Sequence, residues 1–196
     1  MPNHISVLDS FFVPAVLPRR ITYVGKAEYL DDWQTRWLFP ALGMIAIDRT
    51  GGDAAQNALD VAARVLHRGE LFGIYPEGTR SRDGLLHKGR TGAARLALRS
   101  GAPITPVGIC GTDVILPPNH RVPRPLRHAS IAFGEPIDPA HYKGRHDQRL
   151  VLRQMTDEAM FEISTLSGQT YVDSYGLSGV PVAVNDPVPG ERPCAR

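Results

Sequence analysis

The chain has 196 residues, 42% of them hydrophobic and 21% charged, with a formal net charge of +2. That balance suits one globular domain with a substantial core and excludes wholesale disorder. The slight positive excess makes no case for a nucleic-acid partner, and no stretch reaches the roughly 18–20 apolar residues that span a bilayer.

Chemistry begins at once, with Asn3-His4 and, five residues after the histidine, Asp9. Ser6 to Leu17 reads as a short apolar helix with Ser6 as a possible N-cap. On one helix, residues five apart stand about 140° from each other, so His4 and Asp9 meet only if His4 precedes the helix and Asp9 reaches back. An aspartate on one imidazole nitrogen would leave the other free as a general base. Among seven histidines, one chance His-x4-Asp is a roughly one-in-three event, so the spacing alone decides nothing. A residue of this kind normally follows a strand, and the expectation is that the natural chain begins further upstream.

Arg20 to Val24 reads as a strand leading to Lys26, then Asp32 to Leu42 as an aromatic-rich helix stopped by Gly43. Met44 to Ile47 is a buried strand ending in Asp48-Arg49. Asp53 to Arg68 is the cleanest helix, with Leu59, Ala62, Ala63 and Leu66 on one face and Gly69 at C′. Leu71 to Tyr75 is a strand running into Pro76-Glu77-Gly78-Thr79-Arg80-Ser81-Arg82. That turn offers backbone N–H groups and guanidinium groups suited to phosphate, and Gly78 would let an anion approach the backbone. Glu77 is assigned to holding Arg80 or a substrate hydroxyl. The same residues also make an ordinary charged turn.

Gly89 to Arg99 is a second amphipathic helix closed by Gly101, Pro103 to Cys110 and Ala129 to Phe133 are strands, and His146 to Ser167 is a long helix. Between them Arg121 to His128 forms a basic, Pro-rich loop, read as solvated or lying near lipid phosphates. Cys110 and Cys194 give neither a disulfide framework nor metal-ligand spacing, which fits a reducing, cytoplasmic-side location. The alternation predicts a single α/β domain with a mixed, largely parallel sheet flanked by helices, spanning residues 1–167. Residues 168–196, rich in Pro and Gly, read as a loosely ordered tail. Lys26 and Arg49 follow strands, where α/β folds place their ligands, and so join the turn as candidate phosphate contacts.

At this point the sequence resembles the glycerolipid acyltransferase family, of the 1-acylglycerol-3-phosphate acyltransferase type. Asn3-His4-x4-Asp9 is similar to the family's first motif, Gly43 to Arg49 to its second, Tyr75 to Ser81 to its third, and Ala102 to Val107 to its fourth. Order and spacing also agree, from residue 3 to about 165. The family's preceding strand and usual membrane-associating helices have no counterpart here. The resemblance implies acyl transfer from acyl-CoA or acyl carrier protein to a lysophospholipid acceptor, giving phosphatidic acid at the cytoplasmic side of a membrane surface. His4 would deprotonate the acceptor hydroxyl and Asp9 would orient His4. Lys26, Arg49 and Arg80 would hold the phosphate, with Gly78 and Thr79 adding polar contacts, and no cofactor or metal would be required.

Other readings have less behind them. A serine hydrolase lacks its nucleophile elbow, since Gly176-Leu177-Ser178-Gly179-Val180 has no final glycine. Gly84 to Thr91 has the glycine spacing of a P-loop, but Arg90 stands where the lysine is required. A family member acting on glycerol 3-phosphate or another lysolipid would carry the same motifs. A non-catalytic, membrane-surface phospholipid-binding module is the non-enzymatic alternative, with Phe11, Phe12, Trp33 and Trp37 on an apolar face.

Overall fold

Short apolar runs and amphipathic segments take turns along the chain, and strands and helices follow them. A computed structural model describes residues 1–26, 44–47, 54–117, 120, 122–142, 144 and 148–176. Along these run α1 (Asp9–Val16), β1 (Ile21–Lys26), β2 (Met44–Ile47), α2 (Ala54–His67), β3 (Leu71–Gly73), β4 (Leu86–His87) and α3 (Gly92–Ser100). Then come β5 (Val107–Cys110), α4 (Thr112–Ile115), β6 (Ser130–Phe133), a 3-10 turn at Pro139–Tyr142, α5 (Gln148–Ser167) and β7 (Tyr171–Val172). The helix expected over Asp32 to Leu42 lies outside the described residues, as does Arg49.

β2, β1 and β3 form a parallel sheet in that order, in register Tyr23 to Met44 on one side and Tyr23 to Gly73 on the other. β5 and β6 pair antiparallel, and Pro2 bridges Val107 in parallel, so Met1 to Asn3 run strand-like beside β5. β4 and β7 pair in parallel as two-residue strands. Neither was expected: two residues carry no readable alternation. Ordered structure therefore enters the stretch read as a loose tail, with β7 beyond Gly168.

Among the described residues, three buried clusters hold the layers together. Val13 of α1, Ile21 and Tyr23 of β1, and Val107 and Ile109 of β5 join the parallel sheet to the β5–β6 pair. Leu86, Ala93, Ala97, Met155, Ala159, Met160 and Ile163 seat α5 against α3. Ala62, Ala63 and Leu96 close α2 on α3. Each fully buried Met or Ile contributes roughly 1.5–3 kcal/mol. Gly69 and Gly101 take the left-handed conformation expected after α2 and α3, with φ of 73° and 74°. α1 starts at Asp9, not Ser6. The position before it is Leu8 with no side-chain cap, and Ser6 belongs to the preceding loop, its hydroxyl donating to the Leu116 carbonyl at 3.1 Å. α3 starts at Gly92 rather than Gly89, because the Arg90 N–H is committed to the Pro76 carbonyl at 2.8 Å.

Candidate functional site

A histidine becomes a usable base when one ring nitrogen is held and the other is open. Here His4 Nδ1 lies 2.9 Å from Asp9 Oδ2. The same oxygen accepts the N–H groups of Ile5 and Ser6 at 2.8 and 2.9 Å, so the carboxylate closes the loop that carries the histidine. The other oxygen, Oδ1, accepts the Thr112 hydroxyl of α4 at 2.6 Å. Asp9 is 0% exposed, whereas the His4 side chain keeps 16%. This is the expected arrangement, with Asp9 reaching back from the first turn of α1. An acceptor-only carboxylate makes Nδ1 the donor and leaves Nε2 the basic nitrogen.

Aromatic packing fixes the ring plane. The Tyr75 ring stacks on His4 with centroids 3.9 Å apart and planes 17° from parallel, and Tyr23 stacks behind Tyr75 at 5.7 Å. The Tyr75 and Ser10 hydroxyls lie 3.0 Å apart. Burial pushes the Tyr75 phenol well above its ordinary range, so it stays neutral at any working pH. A planar face against a protonated imidazole favours the cation, and a neutral ring supplies that face without competing for the proton.

Glu77 departs from its assignment. It is 1% exposed and does not hold Arg80. Its Oε1 accepts the His4 backbone N–H and its Oε2 accepts that of His87, both at 3.1 Å. Burial raises its pKa to about 7, against the opposing pull of those two N–H groups. Glu77 thus lies beneath the site and couples the histidine loop to β4. A second bond does the same job from the other side, the Ser81 N–H donating to the His4 carbonyl at 2.7 Å. Gly78 takes φ of 74°, and a Cβ there would come within 2.9 Å of Arg90 Nε, so the space above it belongs to Arg90 rather than to an approaching anion.

The remaining candidates divide. Arg80 lines a small cleft of about 60 Å³ together with Ile5, Ser6, Val7, Ser81, Arg82, Leu116, Pro117 and His120. Since Ile5 to Val7 immediately follow His4, this cation-lined cleft adjoins the base. Thr79 is half-buried in the same turn, beside Gly176. Lys26 ends β1 at the same sheet edge as the turn that follows β3. Asn3 is fully buried and acts in the scaffold: its Nδ2 donates to the Ile109 carbonyl at 2.8 Å and to Gln169 Oε1 at 2.6 Å, and its Oδ1 accepts the Ile109 N–H at 2.7 Å. Among the described residues no cluster of His, Cys, Asp or Glu could hold a metal ion. A larger apolar cavity of about 440 Å³, lined by Met1, Pro2, Leu17, Ile21, Leu71 and Val107 among others, lies at the opening ends of β1, β3 and β5.

Sequence reasoning missed Thr112, Tyr75's stacking, His120 and Gln169, while Arg82 lies in the turn it had singled out. Thr112 and Gln169 sit over 100 residues from Asp9 and Asn3, and nothing local marks them. Tyr75 was visible as an aromatic before Pro76, but its partner ring was not.

The acyltransferase family model matches residues 1–110. The 1-acyl-sn-glycerol-3-phosphate acyltransferase of Limnanthes douglasii is 39% identical over 120 residues, which is 57% of this chain and 40% of that protein. The beta form from Homo sapiens is 33% identical over 106 residues, 54% of this chain and 38% of that one. The chain therefore spans about two fifths of the length of these curated relatives. In fold it is similar to the crystal structure of the 1-acyl-sn-glycerophosphate acyltransferase PlsC from Thermotoga maritima. The TM-score is 0.63 at 23% identity, over 84% of this chain and 64% of that one.

Proposed function

We propose that this chain, which belongs to the acyltransferase family, moves a fatty acyl group from a thioester donor to the free hydroxyl of 1-acylglycerol 3-phosphate, giving phosphatidic acid. The observation that carries the reading is the His4–Asp9 pair, 2.9 Å apart, opening beside a cleft lined by Arg80, Arg82 and His120. His4 Nε2 takes the proton from the acceptor hydroxyl as its oxygen attacks the thioester carbonyl. The new C–O ester bond forms, the C–S bond breaks, and the departing thiolate receives the proton from His4. Asp9 holds the imidazolium in between, and no acyl-enzyme is formed. Arg80, with Lys26 and Arg49 following their strands and Thr79 beside it, holds the acceptor phosphate through charge-assisted bonds. Acyl-CoA or acyl carrier protein serves as donor, without a cofactor, at the cytoplasmic face of a membrane.

The test is an acyl-transfer assay of the full chain, offering acyl-CoA or acyl carrier protein and, in turn, lysophosphatidate, glycerol 3-phosphate and other lysolipids. His4→Ala should lower kcat by about 10²–10⁴ while lysophosphatidate still binds. Arg80→Ala should raise the acceptor KM far more than it lowers kcat. Undiminished transfer by His4→Ala would overturn the reading.

A further inference from the structure

We propose that the loop 122–128 is a membrane-docking tip, which seats its arginines on an anionic bilayer surface and inserts Leu126 among the lipids. The inference rests on the lipid-acceptor reading above and goes beyond it by naming the element that meets the bilayer. Leu126 is 98% exposed and takes φ of 56°, in the left-handed region that leucine avoids. Val122, four residues earlier, is 75% exposed. Every residue from Val122 to Ser130 is exposed, so the loop presents its side chains to the surroundings. A leucine held outward in a costly backbone conformation points to a use for it there.

Charge selects the occupant. From Val114 to Gly134 the chain has no carboxylate, while Arg124, Arg127 and His128 stand on either side of Leu126. Arginine flanks with an aliphatic tip suit an anionic interface, where each basic side chain adds attraction and the apolar residue enters the headgroup boundary. Single-stranded nucleic acid would call for stacking aromatics, and the exposed tip between Val122 and His128 has none. Pro123 and Pro125 pre-set the backbone, so little freedom remains to be lost on docking.

The root of the loop is fixed to the catalytic side. The Arg124 N–H donates to the Ile115 carbonyl of α4 at 2.7 Å. At the other end a Cβ on Gly111 would meet the His128 carbonyl oxygen at 2.4 Å, so the chain returns tightly against the start of α4. Leu116, Pro117 and His120, between α4 and the tip, line the same cleft as Arg80. Docking by this loop would therefore turn the phosphate cleft toward the surface that supplies its lipid.

The test is co-sedimentation of the full chain with vesicles of phosphatidylcholine, alone or mixed with phosphatidylglycerol. The unaltered protein should partition onto the mixed vesicles and be released by salt. Arg124→Ala with Arg127→Ala should weaken that partition by about tenfold or more. Leu126→Asn, which keeps a residue tolerant of the left-handed backbone, should weaken it several-fold. Both variants should keep the unaltered thermal midpoint and full turnover on monodisperse lysophosphatidate. Unchanged partition in both variants, preference for RNA over vesicles, or an equal loss of turnover on the monodisperse acceptor would each overturn the proposal. Vesicle binding without transfer by the unaltered chain would overturn the acyltransferase reading and leave the docking loop standing.

Discussion

Asp9 takes donors from its own loop and from Thr112, and each has a separable consequence. The loop N–H groups set the shape of residues 4–6, while the Thr112 hydroxyl meets the one carboxylate oxygen that faces away from His4. Thr112→Val keeps the shape and removes the donor, leaving Oδ1 buried without a partner. That costs about 1–3 kcal/mol of positioning, so kcat should fall about tenfold with acceptor KM nearly unchanged, and Thr112→Ser should restore it. A Thr112→Val enzyme with normal kcat would remove α4 from the catalytic assembly. Glu77 bears on pH. Its folded pKa of about 7 lies above the ordinary 4.5, so between those values the unfolded chain gives up the proton while the folded chain keeps it. The native state then binds more protons, and the stability Glu77 contributes is lost as pH rises through this window. The stability margin of the unaltered protein over Glu77→Gln should narrow between about pH 5 and pH 8 in chemical denaturation. A margin that widens would mean that the His4 and His87 N–H groups outweigh burial.

Between elements, the contact that matters most for the base runs across β1 and β3. Tyr23 faces Gly73 in register, and a Cβ on Gly73 would fall 2.1 Å from the Tyr23 ring. Tyr23 backs Tyr75, and Tyr75 backs His4, so the absence of one side chain on β3 sets where the imidazole lies. Gly73→Ala should destabilise the fold by about 1–3 kcal/mol and also reduce kcat in the protein that remains folded, since the stack must shift. Retained kcat at full folding would show that the ring stack only fills space. α2 was legible in the sequence because Leu59, Ala62, Ala63 and Leu66 repeat at helical spacing over a long segment, and Gly69 ends it. The His4–Asp9 pairing was legible only in company with the later motifs: helix geometry permits a reach-back, but the spacing by itself arises by chance in about one case in three. Gly73 was not: a glycine within a strand reads as a weakness until the ring opposite is known. Nor was Glu77, whose two partners are backbone N–H groups carrying no sequence signature.

Across the whole molecule, the loop that carries His4 is held by both ends of the described chain. Asn3 joins β5 through Ile109, and it joins the segment after α5 through Gln169, which is 4% exposed and donates on to the Gly84 carbonyl at 2.9 Å. β7 then pairs with β4, whose His87 N–H lies on Glu77, and Lys88 meets Asp173 at 2.7 Å. A stretch rich in turn formers and polar residues gave no hydrophobic pattern from which this could be read. What orders it is a buried amide pair, and an amide buried without its partner costs about 1–3 kcal/mol. Gln169→Ala should therefore lower stability by that amount. It should also cost turnover, because Asn3 immediately precedes His4. Chains ended at Ser167 and at Gly176 give the complementary comparison, differing only in the segment that carries Gln169 and β7. The longer should retain the higher unfolding midpoint and the higher kcat. Equal midpoints and equal turnover would mean that residues 168–176 merely cover the surface, and that the base is positioned from the amino-terminal side alone.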